Sequence, residues 1–90
     1  MVKIIYTKPY IRKAVKFLKK HPDLKGQYEK TFKLLKINPY HPSLRLHKLT
    51  GNISKFYSVS INITYRITIE FLIKDDKIIP ISIGTHKEVY

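Results

Sequence analysis

Residues 57–73 read YSVSINITYRITIEFLI, and the parity of this run decides the fold. Every odd position is apolar: Tyr57, Val59, Ile61, Ile63, Tyr65, Ile67, Ile69, Phe71 and Ile73. The even positions Ser58, Ser60, Asn62, Thr64, Arg66, Thr68 and Glu70 are polar. A period of two is that of a strand with one buried face. The run is too long for one ordinary strand, so a turn is expected at Asn62-Ile63-Thr64. A three-residue loop pairs Ile61 with Tyr65 and keeps all odd positions on one face. A two-residue loop would set Ile61 against Thr64 and split the pattern.

The same parity extends to a last strand after a turn at Lys74-Asp75-Asp76, with Ile79, Ile81 and Ile83 as its alternating apolar set. Keeping these beside Phe71, Ile69 and Ile67 places Gly84 opposite Arg66. His86 then becomes a diagonal neighbour of Arg66, about 7–8 Å away between β-carbons if the strand continues. Ser60 flanks Arg66 from the other side. Upstream, SLRLHKLTG at residues 43–51 offers a further strand with Leu46 inward, so that Arg45 and His47 point the other way and Lys48 and Lys55 flank Gly51.

Before this sheet the period is helical. VKIIY at residues 2–6 reads as a short first strand, followed by Thr7 as a helix N-cap with Pro9 in the first turn. Ile11, Ala14, Val15 and Leu18 then form an apolar stripe opposite Arg12, Lys13, Lys16, Lys19 and Lys20. His21-Pro22-Asp23 breaks the helix. A second one starts near Asp23, with Leu24, Tyr28, Phe32 and Leu35 inward and lysines outward. The expected architecture is α+β over one domain, residues 1–90. It has an N-terminal strand and a basic two-helix hairpin, then an antiparallel sheet of three to four strands packed on the helices. The helices must cover the odd face, because that face needs burial, and the even face is expected to be open.

The 90 residues carry 18 Lys and Arg against 6 Asp and Glu, a net charge of +12. Residues 1–50 hold 13 basic and 2 acidic groups, whereas residues 51–90 hold 5 and 4. The basic half calls for a polyanion: nucleic acid, an anionic membrane surface or an acidic protein. Cysteine is absent, so neither a disulfide frame nor a thiolate metal cluster is available, a composition that fits the cytoplasm. No apolar run approaches the roughly 20 residues of a membrane span, and MVKIIYTKPY is too short and too polar for a secretory signal.

A face with Arg, Lys, His and Tyr and no carboxylate pair suits a phosphodiester better than a glycoside or a peptide. Arg66 can grip phosphate oxygens and stabilise the charge that builds up as a nucleophile attacks. His86 can donate or accept a proton near neutral pH. RNA supplies its own nucleophile in the 2′-hydroxyl, so such a site needs no cofactor and no metal. The spacings of His41, His47 and His86 match no zinc pattern. There is no Gly-rich phosphate loop and no nucleophile motif of a serine hydrolase.

The ordered set HPSLRLHKLTG, YSVSINITYRITIEF and IGTHKEVY resembles the RelE/ParE toxin superfamily, especially its RelE and YafQ-like members. The preceding strand and helical hairpin match that family's order, so the resemblance spans nearly the whole chain. It implies the toxin of a type II toxin-antitoxin system, monomeric alone: a ribosome-dependent mRNA endonuclease held inactive by an acidic antitoxin. Carried over by position, Arg66 resembles the transition-state arginine, His86 the proton-transferring or phosphate-contacting group, and Tyr90 the closing aromatic. His47 and Lys48 fall in the segment that supplies a basic or imidazole side chain, and Arg45, Lys55 and Lys87 complete the basic surface. Lys87 replaces a frequent aspartate, and Ser60 and Thr64 stand where YafQ-like toxins supply a catalytic histidine and aspartate, so those two roles are not carried over. The alternatives are a ParE-like inhibitor of DNA gyrase without chemistry, or an attenuated ribosome- or RNA-binding relative.

Overall fold

The computed structural model describes residues 1–51 and 55–85. In chain order they form β1 (Lys3–Ile4), α1 (Lys8–Lys20), α2 (Lys25–Ile37), β2 (His47–Lys48), β3 (Phe56–Ser60), β4 (Tyr65–Leu72) and β5 (Lys77–Thr85). Short 3-10 turns at Pro22–Leu24, Pro42–Leu44 and Ile73–Asp75 join them. The sheet runs β1-β5-β4-β3-β2. Its central strands are antiparallel as expected, but β1 lies parallel to β5, so the sheet has five strands and is mixed. Chain separation permits the edge pair: both helices and three strands lie between β1 and β5, and a parallel pair needs a long connection of this kind. Among the described residues no helix is long and apolar enough to cross a membrane.

The β3–β4 hairpin keeps the expected register. Ser60 pairs with Arg66 and Val59 with Ile67, and both the Ile61 and Asn62 amides donate to the Tyr65 carbonyl. Asn62 closes the turn with its side chain, accepting from the amides of Thr64 (2.9 Å) and Tyr65 (2.8 Å). Val59, Ile67, Ile69 and Ile78 are wholly inaccessible to solvent and join Tyr10, Phe17 and Leu35 in one core under the helices.

The β4–β5 register is as expected from Arg66–Gly84 to Thr68–Ser82 and then slips by one residue. Ile69 pairs with Pro80 rather than Ile81, and Phe71 pairs with Ile78 rather than Ile79. Ile81 is the extra residue of a bulge, and Ile78 and Pro80 replace Ile79 and Ile81 as the buried positions. A proline has no amide to give to a ladder, and a bulge beside it accommodates that loss.

Helix α1 begins as its sequence indicates, with the Tyr10 amide donating to Thr7 Oγ1 at 3.3 Å. Its buried stripe is turned from the expected one. Tyr10, Ala14 and Phe17 are buried, whereas Ile11 and Val15 are 46% and 48% exposed. Two rings bury more surface than Ile11 and Val15 could. They are also fixed by partners: Tyr10 shares a 2.8 Å hydroxyl–hydroxyl hydrogen bond with Tyr28, and Phe17 packs edge-on against Tyr65 at 5.1 Å. Burial, followed by the Tyr28 bond, pushes the Tyr10 phenol well above its ordinary value.

Candidate functional site

Arg66 lies on the even face of the sheet, between Ser60 on β3 and Gly84 on β5. Among the described residues its Nε is buried without a hydrogen-bond partner, as is the Oγ of Ser58, two residues from Ser60. A buried donor left unmade costs about 1–3 kcal/mol, more when charged. Its persistence on a central strand therefore points to a ligand that supplies the acceptor. Glu70 occupies the same face but is paired with Phe56 and Ile79, four residues along β4. Spacing alone carries it about 13 Å from Arg66.

The middle of this face is less open than its polar pattern suggests. Ser58, Ser60 and Thr68 are buried, whereas Arg66, Glu70 and Ser82 keep partial exposure.

Arg45 approaches the same end of the sheet from the Pro42–Leu44 turn. It caps that turn in the left-handed region (φ 49°), a conformation costly for a residue with a Cβ. A cavity of about 380 Å³ holds Arg45 together with Ser43, Gln27, Ser60 and Asn62. Gln27 donates to the Ile61 carbonyl at 3.2 Å, tying α2 to the β3–β4 turn. Ser60 donates to the Asn62 carbonyl at 2.6 Å. Gln27, Ser43 and Asn62 escape sequence reasoning, because a glutamine on a basic helix and an Asn in a turn read as solvated and structural.

His47 pairs with Ser58 and so falls on the Arg66 side of the sheet, exposed, with Nδ1 3.1 Å from the Arg45 carbonyl. Lys48 pairs with Tyr57 and therefore falls on the opposite side. A two-residue strand gives one side chain to each face, so His47 and Lys48 lie on opposite sides of the sheet. Lys55 lies 5.1 Å over the Phe56 ring, held by a cation–π contact beside β3. His86, Lys87 and Tyr90 lie outside the described residues. His41 bonds Ser43 through Nδ1 and so shapes the Pro42–Leu44 turn. Among the described residues no three His, Asp or Glu side chains are grouped to hold a metal.

No family model and no curated protein matches the chain. Solved structures do. YafQ from E. coli strain BL21(DE3) superposes with a TM-score of 0.79 at 15% identity, covering 100% of this chain and 99% of that one. A copper-bound mutant toxin from Helicobacter pylori gives 0.77 at 24% identity, with both chains covered completely. The E. coli DinJ-YafQ toxin-antitoxin complex gives 0.77 at 18% identity, covering 99% of this chain and 97% of that one. At these identities the likeness speaks for the backbone, and over its full length this chain has the RelE-like toxin fold.

Proposed function

We infer that the protein is the toxin of a toxin-antitoxin pair, acting as a ribosome-dependent mRNA endonuclease. The observation that carries this reading is the Nε of Arg66, buried and without a partner among the described residues, on a polar sheet face beside a glycine. A scissile phosphate bound there would complete the missing hydrogen bond, and the fork geometry of a guanidinium favours the extra charge of the pentacoordinate transition state. The 2′-hydroxyl attacks phosphorus, the 5′-oxygen leaves, and a 2′,3′-cyclic phosphate results. In this scheme His86 transfers a proton, Tyr90 orients the substrate, and His47 and Arg45 hold the flanking backbone, with Lys55 and Lys87 adding to the field. The cognate antitoxin is an acidic chain that neutralises the +12 charge.

Cell-free translation with primer extension on the messenger tests this. The expected result is wild-type-dependent cuts on ribosome-bound mRNA and none on a messenger with a 2′-deoxy sugar at the cut position. His86→Ala is expected to slow cutting by roughly 10²–10⁴-fold, as loss of a proton-transfer group does. Inhibition of translation without any cut would overturn the enzymatic reading.

A further inference from the structure

The cavity that holds Arg45 sets two carboxamides of opposite sense side by side. Asn62 is pinned in it: its amide donates to the Tyr65 carbonyl, its carbonyl accepts from Ser60 Oγ, and its side chain accepts from the amides of Thr64 and Tyr65. Only Oδ1 can accept from backbone N–H groups, so the orientation of this carboxamide is settled and Nδ2 is left as a donor. Gln27 is settled the other way, because its Nε2 donates to the Ile61 carbonyl at 3.2 Å and leaves Oε1 as an acceptor. That carbonyl belongs to the peptide joining Ile61 to Asn62, so the donor and the acceptor are neighbours.

Such a site suits a nucleobase better than a phosphate. Its volume of about 380 Å³ lies in the range of small-molecule sites, about 300–1,000 Å³. Among its described lining residues Arg45 is the one charged group, and the hydroxyls of Ser43 and Ser60 and the side chains of Ile61 and Ile63 complete the wall. Ile63 is 88% exposed at the tip of the turn, although Ile61, Ile67 and Ile69 are buried. Its side chain offers the flat face of a base an apolar contact. Ser60 lines the cavity and pairs with Arg66, so the cavity adjoins the place of the scissile phosphate, one strand spacing or about 5 Å along the ladder.

We propose that this cavity is a base-reading subsite, which takes one unpaired nucleobase beside the cut and selects it through Asn62 Nδ2 and Gln27 Oε1. This rests on the ribonuclease reading and adds to it a sequence preference. At their pairing edges the bases fall into two classes. Adenine and cytosine carry an exocyclic amino donor next to a ring-nitrogen acceptor, whereas guanine and uracil carry an exocyclic oxygen acceptor next to a ring N–H donor. A donor and an acceptor that cannot exchange places fit one order and set like against like in the other. The selection is therefore between amino and keto bases, not between purines and pyrimidines.

The test uses the full chain on ribosomes, with messengers that carry each of the four bases in turn on either side of one cut position and primer extension as the readout. At one of these positions the wild type is expected to cut one class roughly tenfold faster than the other, the discrimination of a well-placed donor–acceptor pair. Asn62→Asp keeps the oxygen that closes the turn and puts an acceptor where the donor was, Asn62→Ser removes the donor without adding charge, and Gln27→Ala removes the acceptor at an exposed helix position. Each variant is expected to melt as a folded protein and to bring the two classes within about threefold of each other. A class preference that survives all three variants, an equal loss of cutting for all four bases, or a wild-type preference that divides purines from pyrimidines would overturn the subsite. A wild-type protein that binds ribosomes but never cuts would sink the ribonuclease reading alone. The subsite is then decided by NMR titration with uncleavable 2′-methoxy trinucleotides: shifts of the Asn62 and Gln27 side-chain amides with one class of base uphold it, and their absence with both overturns it.

Discussion

Arg66 on β4 stands directly across from Gly84 on β5 and, on its other side, from Ser60 on β3. Neither neighbour has a side chain long enough to shield the guanidinium or to neutralise it. Backbone pairing thus fixes where Arg66 stands on the sheet, between a glycine and a serine.

Removing that side chain is expected to separate activity from stability. Arg66→Ala loses a contact that strengthens as phosphate charge develops, so cutting is expected to fall about 10²-fold or more with little change in ribosome affinity. Because its Nε is buried without a hydrogen-bond partner among the described residues, Arg66→Ala gives up no bond at that atom, and chemical denaturation is expected to stay within about 1 kcal/mol of wild type. A variant that unfolds would show Arg66 to be structural.

One residue further on, the outcome reverses. Ile67 is fully buried under the helices, and Ile67→Ala is expected to cost roughly 2–5 kcal/mol as a core truncation. If urea unfolding shows Ile67→Ala to be tolerated, the two faces of β4 have been assigned the wrong way round.

Ile11 and Val15 form an exposed apolar ridge on α1, bordered by Arg12, Lys16 and Lys19. An acidic amphipathic partner gains both burial and charge complementarity there. Ile11→Ser/Val15→Ser is expected to leave thermal stability within about 0.5 kcal/mol per site, the range of surface changes. Its complex with the cognate antitoxin is expected to weaken at least tenfold, about 1.4 kcal/mol, the low end of what burying one such side chain contributes. Calorimetry with an unchanged dissociation constant would place the partner elsewhere.

The Tyr10–Tyr28 pair predicts alkaline sensitivity. Burial raises the phenol of each, and the hydrogen bond shared with Tyr28 adds to the shift at Tyr10. Folded values above the unfolded value near 10 mean that the unfolded chain loses these protons first. The contribution to stability is therefore complete below about pH 10 and declines as pH rises beyond it. Thermal melts between pH 8 and 11 are expected to show this decline, and Tyr10→Phe is expected to flatten it while costing about 1 kcal/mol at pH 8. An equally steep decline in Tyr10→Phe would assign the effect to other groups.

Local pattern sufficed for the hairpin and for the start of α1. Alternation from Tyr57 to Phe71 specifies which face of β3 and β4 is buried, since a slip of one residue would turn every apolar side chain to solvent. Thr7 and Pro9 mark the beginning of α1 because capping involves only neighbours in sequence. The place of Arg66 between Ser60 and Gly84 follows from the same parity.

What the sequence could not decide depended on partners far along the chain. The burial of Tyr10 and Phe17 in place of Ile11 and Val15 comes from Tyr28 on α2 and Tyr65 on β4, which reward one rotation of α1 over another of similar apolar content. The slip that expels Ile81 and buries Pro80 arises where β5 meets β4, and the face given to Lys48 is set by its pairing with Tyr57. Periodicity says that a face will be buried, because hydrophobic burial is non-directional and scales with area. Which residues share that face is decided only when packing and strand pairing choose among nearly equal alternatives.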